Sequence, residues 1–172
     1  LRIAIYQMDS IDRCVEENTA LFDRTCATAK AGGAELIIFP EMALTGYNIG
    51  AERIRALAEP RSGAMIQGLR DVAQRHHIGV LCGFPERAGK QIFNSAALIS
   101  ASGTLLSICR KAHLFGDVDR AAFSAADALC PLVNFGGWAL GLAICYDVEF
   151  PELVRSYALA GADAVLVPTA NM

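Results

Sequence analysis

WALGLAIC at residues 138–145 is a continuous apolar run, and the polar segment YDVEFPE follows it directly at residues 146–152. An apolar run of this length is typical of a buried β-strand, and Pro151 fits the first turn of a helix. The strand therefore ends abruptly at Cys145 and is expected to hold that thiol at the edge of a sheet. A thiol there is a candidate nucleophile, although most cysteines in apolar runs only pack in the core.

Outward from this strand, helical and extended patterns alternate along the chain. Helices are predicted at residues 11–31 and at residues 151–160. Another helix is predicted to begin after Ser62, which would be its N-cap. Buried strands are predicted at residues 2–7, 36–39, 78–84 and 164–167. Two hairpins are predicted, one with its turn at residues 101–103 and one with its turn at Gly136-Gly137.

This alternation predicts an α/β layered fold, and the hairpins predict mixed rather than purely parallel sheets. Neither a linker nor a repeat divides the sequence, so one domain over residues 1–172 is predicted. The last predicted strand is followed by only a few residues and no covering helix. We therefore expect the domain to be incomplete at its C-terminal end.

Composition narrows the class of protein. The chain has 172 residues, of which 53% are hydrophobic, so it can bury a sizeable core. A net charge of −3 and the lack of a Lys/Arg run argue against a nucleic-acid partner. No apolar run approaches the roughly 20 residues of a membrane span. The three histidines are scattered and no phosphate-binding loop is present, so neither a metal nor a cofactor is expected.

Six cysteines are present, and no two have C-x-x-C spacing. Three disulfides are one interpretation of an even count. A chain with this much core does not need them, which favours free thiols in a reducing compartment. Because no signal peptide opens the sequence, a cytoplasmic location is expected.

Two further strand ends carry groups that complement the thiol. Glu41 follows the strand at residues 36–39, and Lys111 follows the strand at residues 104–110. Ligands of α/β proteins bind outside the carboxyl ends of strands. A carboxylate there can take the proton of a thiol, and an ammonium group can stabilise an oxyanion. Each residue alone is more often a solvated surface group, so the hypothesis depends on their combination.

Three segments carry a family resemblance: FPE at residues 39–41, RKAHLF at residues 110–115 and ICYDVEFPE at residues 144–152. They resemble the signature motifs of the nitrilase superfamily of carbon–nitrogen hydrolases, and the resemblance covers the whole chain. It implies an α-β-β-α four-layer sandwich. It also implies that Glu41 is the general base and acid, Lys111 the oxyanion-stabilising cation and Cys145 the nucleophile. The backbone N–H of Tyr146 would be the second oxyanion donor.

Further residues are candidates of lesser specificity. Asp119 stands where many family members carry a second glutamate, with a solvated loop carboxylate as the alternative. His113 could be the base of a protease-like Cys–His pair, whereas the resemblance implies an orienting role. Tyr47, Phe150 and Asn171 follow strand-end motifs. These three residues and His113 are candidate pocket residues, with packing or turn geometry as the alternative.

The resemblance implies an amidase that converts a small non-peptide amide to an acid and ammonia through a cysteine thioester. The Cys-Tyr-Asp sequence at residues 145–147 favours the amidase branch over true nitrilases. An N-carbamoyl amino acid hydrolase, a nitrilase and a catalytically silent assembly subunit are the alternatives. A homodimer or higher homo-oligomer is implied as well. Because Lys111 should favour a thiolate, we expect Cys145 to be the thiol most readily alkylated.

Overall fold

The computed structural model describes residues 1–8 and 15–170, so the predicted helix start at residues 11–14 and Asn171 lie outside it. The helices are α1 Val15–Ala31, α2 Ala51–Leu57, α3 Ala64–His76, α4 Gly116–Ala122 and α5 Pro151–Leu159, with a 3₁₀-helix at Cys145–Glu149. The strands are β1 Ile3–Ile5, β2 Leu36–Ile38, β3 Gly79–Ala88, β4 Gln91–Ile99, β5 Leu105–Arg110, β6 Val133–Phe135, β7 Trp138–Leu142 and β8 Ala164–Leu166.

These strands form two mixed sheets. The first has the order β1-β2-β3-β4-β5, in which β1, β2 and β3 are parallel while β3, β4 and β5 are antiparallel neighbours. The second has the order β6-β7-β8, with an antiparallel β6–β7 hairpin and a parallel β7–β8 pair. The mixed sheets and both predicted hairpins are confirmed.

The alternating side chains of β2 show what covers each face of the first sheet. Ile37 points to one face, where it packs with Phe22 of α1 and with residues of α3. Leu36 and Ile38 point to the other face and pack against Leu140 and other apolar side chains of the second sheet. Successive side chains of a strand face opposite sides, so both faces of β2 must be covered. One face is covered by helices and the other by a sheet.

Helix α5 covers the outer face of the second sheet. Its buried Leu153 and Tyr157 pack with Ala143, and the Tyr157 hydroxyl donates a hydrogen bond to the carbonyl oxygen of Leu142. The layers therefore follow the order helix, sheet, sheet, helix. This confirms the predicted α-β-β-α four-layer sandwich.

Three local features differ from the sequence prediction. Ser62 is not the N-cap of α3. Gly63 occupies that position, and the Glu59 carboxylate accepts a hydrogen bond from the N–H of Met65 at 2.8 Å, which satisfies a first-turn donor from outside the helix. Helices α2 and α4, each of seven residues, were not predicted because they are too short for a clear apolar period. Strand β3 continues through Pro85 to a hairpin with β4.

One glycine determines how the segment after β2 crosses the sheet. A Cβ atom on Gly83 of β3 would lie 2.4 Å from the Met42 nitrogen and 2.7 Å from the Glu41 Cα. Real Cβ atoms do not approach backbone atoms this closely. The absence of a side chain at Gly83 therefore lets the Glu41 backbone lie directly over β3.

Candidate active site

The structure brings Glu41, Lys111 and Cys145 together from three strand ends. Glu41 and Lys111 are buried, and Cys145 is partly buried at the first position of the 3₁₀-helix after β7. The Lys111 ammonium donates a hydrogen bond to Glu41 Oε1 at 2.7 Å. The Cys145 thiol lies close enough to the same carboxylate for the Glu41 charge to act on it. One carboxylate thus interacts with both the thiol and the ammonium group.

Asp119 completes a buried charge cluster with these residues. It lies in the first turn of α4, and its side chain is fully buried, so the alternative of a solvated loop carboxylate does not fit. Asp119 Oδ2 accepts hydrogen bonds from Lys111 Nζ at 2.7 Å and from the N–H of Phe115 at 2.9 Å. Its Oδ1 accepts one from the Tyr47 hydroxyl at 2.9 Å. Lys111 is therefore held between two carboxylates.

The protonation states follow from burial and from these neighbours. Burial opposes the charge of Lys111, but Glu41 and Asp119 outweigh it and raise the pKa of Lys111 above its ordinary value. Burial and the Glu41 charge raise the pKa of Cys145 to about 11, and Lys111 offsets them only in part. At neutral pH the group is therefore a thiol. This result removes the basis for expecting Cys145 to be the most readily alkylated cysteine.

Asn94 was not singled out from the sequence, although it contacts the same carboxylate. It is 1% exposed in β4, and its Nδ2 donates a hydrogen bond to Glu41 Oε1 at 2.7 Å. The N–H of Ala170 donates to the other oxygen, Oε2, at 3.1 Å. The available sequence signal was a single amide side chain within an apolar strand. A buried amide needs a partner, and here the partner is the carboxylate.

Asp147 was also missed, and it joins the Lys111 loop to the Cys145 loop. Its Oδ1 accepts hydrogen bonds from the backbone N–H of His113 at 2.8 Å and of Ala112 at 3.2 Å. Its Oδ2 accepts one from the N–H of Ile144 at 3.1 Å. His113 Nδ1 lies 2.9 Å from the same carboxylate, which orients the ring. This contact supports an orienting role for His113 rather than that of a base.

The remaining predicted pocket residues separate into two groups. His113 stacks on Phe150 with ring centroids 3.7 Å apart, and Tyr146 contacts Phe150 edge-on at 5.1 Å. These three side chains form one aromatic group beside Cys145. Tyr47 instead is buried, with its ring centroid 5.7 Å from Lys111 Nζ. It supports the charge cluster from the side of Asp119.

Two backbone conformations mark the site. Cys145 has a φ of 47°, and Met42, next to Glu41, has a φ of 53°. Both lie in the left-handed region, which side chains other than glycine, asparagine and aspartate seldom adopt. At Cys145 this conformation turns the chain from β7 into the 3₁₀-helix and places the N–H of Tyr146 in its first turn.

A cavity of about 260 Å³ opens beside Glu41. Ile5, the last residue of β1, and residues 6–8 line one side, and residues 167–170, which follow β8, line the other. Of the three central residues, Glu41 lines this cavity, whereas Lys111 and Cys145 do not. In the described part of the chain, no three His, Cys, Asp or Glu side chains are grouped to hold a metal ion. None of the helices there is both long and apolar enough to cross a membrane.

Comparison with known proteins agrees with this geometry. The chain is 46% identical to the "Hydrolase in pqqF 5'region" of Pseudomonas protegens. The match spans all of this chain and 60% of that relative. An (R)-stereoselective amidase of a Pseudomonas species is 33% identical over the full chain, which covers 61% of it. The chain thus spans about three fifths of the length of these curated relatives.

A solved structure of an amidase from Nesterenkonia sp. superposes with a TM-score of 0.86 at 33% identity, over 99% of this chain and 65% of that one. A variant of that amidase has been solved with acrylamide added to its active-site cysteine. The family model described as carbon–nitrogen hydrolase matches residues 2–172. With this match over nearly its whole length, the chain belongs to the carbon–nitrogen hydrolases of the nitrilase superfamily.

Proposed function

We propose that this chain carries the catalytic residues of an amidase, which hydrolyses a small non-peptide amide to an acid and ammonia through a cysteine thioester. The observation that carries the proposal is the position of Glu41 between the Cys145 thiol and the Lys111 ammonium group. The amidases among the similar proteins support the same reaction class.

In the first half of the reaction, Glu41 removes the proton of the Cys145 thiol as the sulfur attacks the amide carbon. A resting thiol fits this order, because the proton is present until substrate arrives. The oxyanion that forms is stabilised by the Lys111 ammonium and by the backbone N–H of Tyr146. Glu41 then gives the proton to the departing nitrogen, and ammonia leaves.

In the second half, Glu41 takes a proton from water, which attacks the thioester carbon. The same two donors stabilise the second oxyanion. Collapse of this intermediate breaks the C–S bond, and Glu41 returns the proton to the sulfur. The acid is released and the Cys145 thiol is restored.

Asp119 takes the part of a second carboxylate in this proposal. Its hydrogen bonds to Lys111 and to the Tyr47 hydroxyl fix the direction in which the ammonium points. His113 and Phe150 form one wall of the substrate pocket, and Asp147 sets the orientation of His113. Asn171 remains a proposed pocket residue outside the described part of the chain.

The substrate class is tested by measuring ammonia release from four sets of compounds: aliphatic amides, amino-acid amides, N-carbamoyl amino acids and nitriles. We expect the highest kcat/KM with an amide. Preference for the N-carbamoyl compounds or the nitriles would replace the amidase assignment with the corresponding alternative. Failure to release ammonia from any of the four sets would favour a catalytically silent assembly subunit.

We also propose that the protein forms a homodimer or a higher homo-oligomer and acts in the cytoplasm. Large apolar side chains on the surface support association, among them Leu159 at 76% exposure and Trp138 at 43%. Unpaired cysteines support a reducing compartment: Cys26, Cys82, Cys109, Cys130 and Cys145 are free thiols in the described residues.

Asn94→Ala is expected to lower kcat by about 10- to 100-fold and to change KM by less than about threefold. A hydrogen bond to a charged group contributes about 1.5–3 kcal/mol, and the lost bond here holds the base in place. The backbone N–H of Lys111 donates a hydrogen bond to the backbone carbonyl of Asn94 at 2.8 Å. This bond does not involve the Asn94 side chain, so the variant keeps it. Steady-state kinetics of ammonia release provide the measurement.

Ser95→Ala is the matched control, because Ser95 is the next residue of β4 and is equally buried. Its hydroxyl donates to Glu86 at 2.8 Å, away from Glu41. This variant should lose stability without a comparable loss of kcat. Equal effects of the two substitutions on kcat would show that Asn94 acts only on the stability of β4.

A further inference from the structure

A second cysteine lies at a cavity separate from the candidate active site. Cys130 is partly buried in the irregular segment between α4 and β6, and it lines a cavity of about 290 Å³ together with Arg61 and Arg110. Its sulfur lies 3.3 Å from the hydroxyl oxygen of Ser107 on β5. Cys145 is not among the residues that line this cavity. Small solutes can therefore reach Cys130 without entering the site of Glu41.

Another cysteine, Cys109, lies on β5, the strand that carries Ser107. Cys109 is two residues after Ser107 on β5, so both side chains point to the same face of the sheet. Cys109 is 2% exposed, and Cys130 packs against the apolar cluster to which Cys109 belongs. The Cys109 sulfur lies 3.2 Å from the carbonyl oxygen of Leu142, and the Cys130 sulfur lies 4.0 Å from the carbonyl oxygen of Ile108, the residue before Cys109. One accessible thiol and one buried thiol are thus neighbours in the same cluster.

We propose that Cys130 and Cys109 form an oxidation site for hydrogen peroxide, in which Cys130 reacts first and Cys109 closes a disulfide. The Cys130 thiolate attacks one peroxide oxygen, so that an S–O bond forms and the O–O bond breaks. The hydroxide released takes a proton and becomes water. The sulfur of Cys130 is oxidised to a sulfenic acid and the peroxide is reduced.

Cys109 completes the reaction. Its sulfur attacks the Cys130 sulfur, the S–S bond forms and the S–O bond breaks. The departing hydroxide takes the Cys109 proton and leaves as a second water. Two thiols and one peroxide therefore give one disulfide and two waters, and Cys130 does not remain as the sulfenic acid.

The acidity of the thiols supports this order. The neighbouring Cys109 thiol outweighs burial and lowers the pKa of Cys130 to about 7. Burial raises the pKa of Cys26 to about 12, and burial with the Glu41 charge raises that of Cys145 to about 11. Near neutral pH, Cys130 therefore has a larger thiolate fraction than Cys26 or Cys145, and thiolates are the forms that react with peroxides and alkylating agents.

The experiment treats the purified protein with an equimolar amount of hydrogen peroxide at pH 7.5, blocks remaining thiols with iodoacetamide and maps peptides without reduction. Trypsin alone leaves Cys130 and Cys145 on one peptide, because no Lys or Arg lies between Arg120 and Arg155. Chymotrypsin, which cuts after Phe135 and Trp138, separates them. We expect a peptide pair joined by a Cys109–Cys130 disulfide.

Two variants and one control define the outcome. Cys130→Ser should abolish the cross-linked pair, and Cys109→Ala should leave a Cys130 sulfenic acid that dimedone traps. Cys82→Ala, which removes a buried thiol of the helix-side core, should leave the yield unchanged. Oxidation of Cys145 ahead of Cys130, or no Cys109–Cys130 peptide in folded wild-type protein, would overturn the proposal. Because the readout is a peptide mass, it does not depend on amidase activity.

Discussion

Cys145→Ala is expected to reduce ammonia release by at least about 10⁴-fold while the protein stays folded. Alanine removes the sulfur that forms the thioester, and neither Glu41 nor Lys111 can replace it as a nucleophile. The side chain is small and partly buried, so the change of volume is modest. Far-ultraviolet circular dichroism and the unfolding temperature should stay close to those of the wild type. The amide identified by the substrate screen is the substrate for this measurement.

The control for this prediction is Cys82→Ala, which also removes one thiol but in the core between the first sheet and its helices. It should lower stability by the effect of a small cavity and keep turnover within a few-fold of the wild type. If Cys145→Ala retained about a tenth or more of the wild-type turnover, the thioester mechanism would be wrong.

Lys111→Met is expected to have the largest effect on stability, a loss of about 3–5 kcal/mol, as well as a loss of activity. Lys111, Glu41 and Asp119 are all buried, and each carboxylate lies 2.7 Å from the ammonium group. Removal of the cation leaves two buried carboxylates without their shared partner. Urea unfolding gives the free energy of unfolding.

Lys90→Met provides the matched comparison, since Lys90 is exposed in the turn between β3 and β4. Surface substitutions of this kind usually change stability by less than about 0.5 kcal/mol. If Lys111→Met unfolded at the same urea concentration as Lys90→Met, the buried charge cluster could not be a major stabilising element.

The layers and the three central residues could be predicted because each has a local sequence signal. The apolar runs give the strands, and Gly136-Gly137 gives the turn between β6 and β7. Glu41, Lys111 and Cys145 each follow such a run, so their meeting at the strand ends follows from topology. Their proximity needed no knowledge of side-chain packing.

Asn94 and Asp147 could not be predicted in the same way, because their partners are distant in sequence. Asn94 bonds a residue 53 positions away, and Asp147 bonds the backbone of His113, 34 positions away. The raised pKa of the Cys145 thiol could not be predicted for a related reason. Lys111 was visible in the sequence, but the burial and the Glu41 contact that oppose it depend on the folded structure.

Cys145 and Met42 both have a left-handed backbone, which lowers the stability of the folded protein. At Cys145 this cost falls on the residue that the proposed reaction needs. A residue with a Cβ atom loses about 1 kcal/mol or more in this conformation relative to glycine. Protein engineers who rank substitutions by backbone strain alone would favour glycine at both positions. At position 42 the loss of a fully buried side chain would outweigh the gain. At position 145 the exchange would remove the proposed nucleophile, so the two residues are poor targets for thermostabilisation.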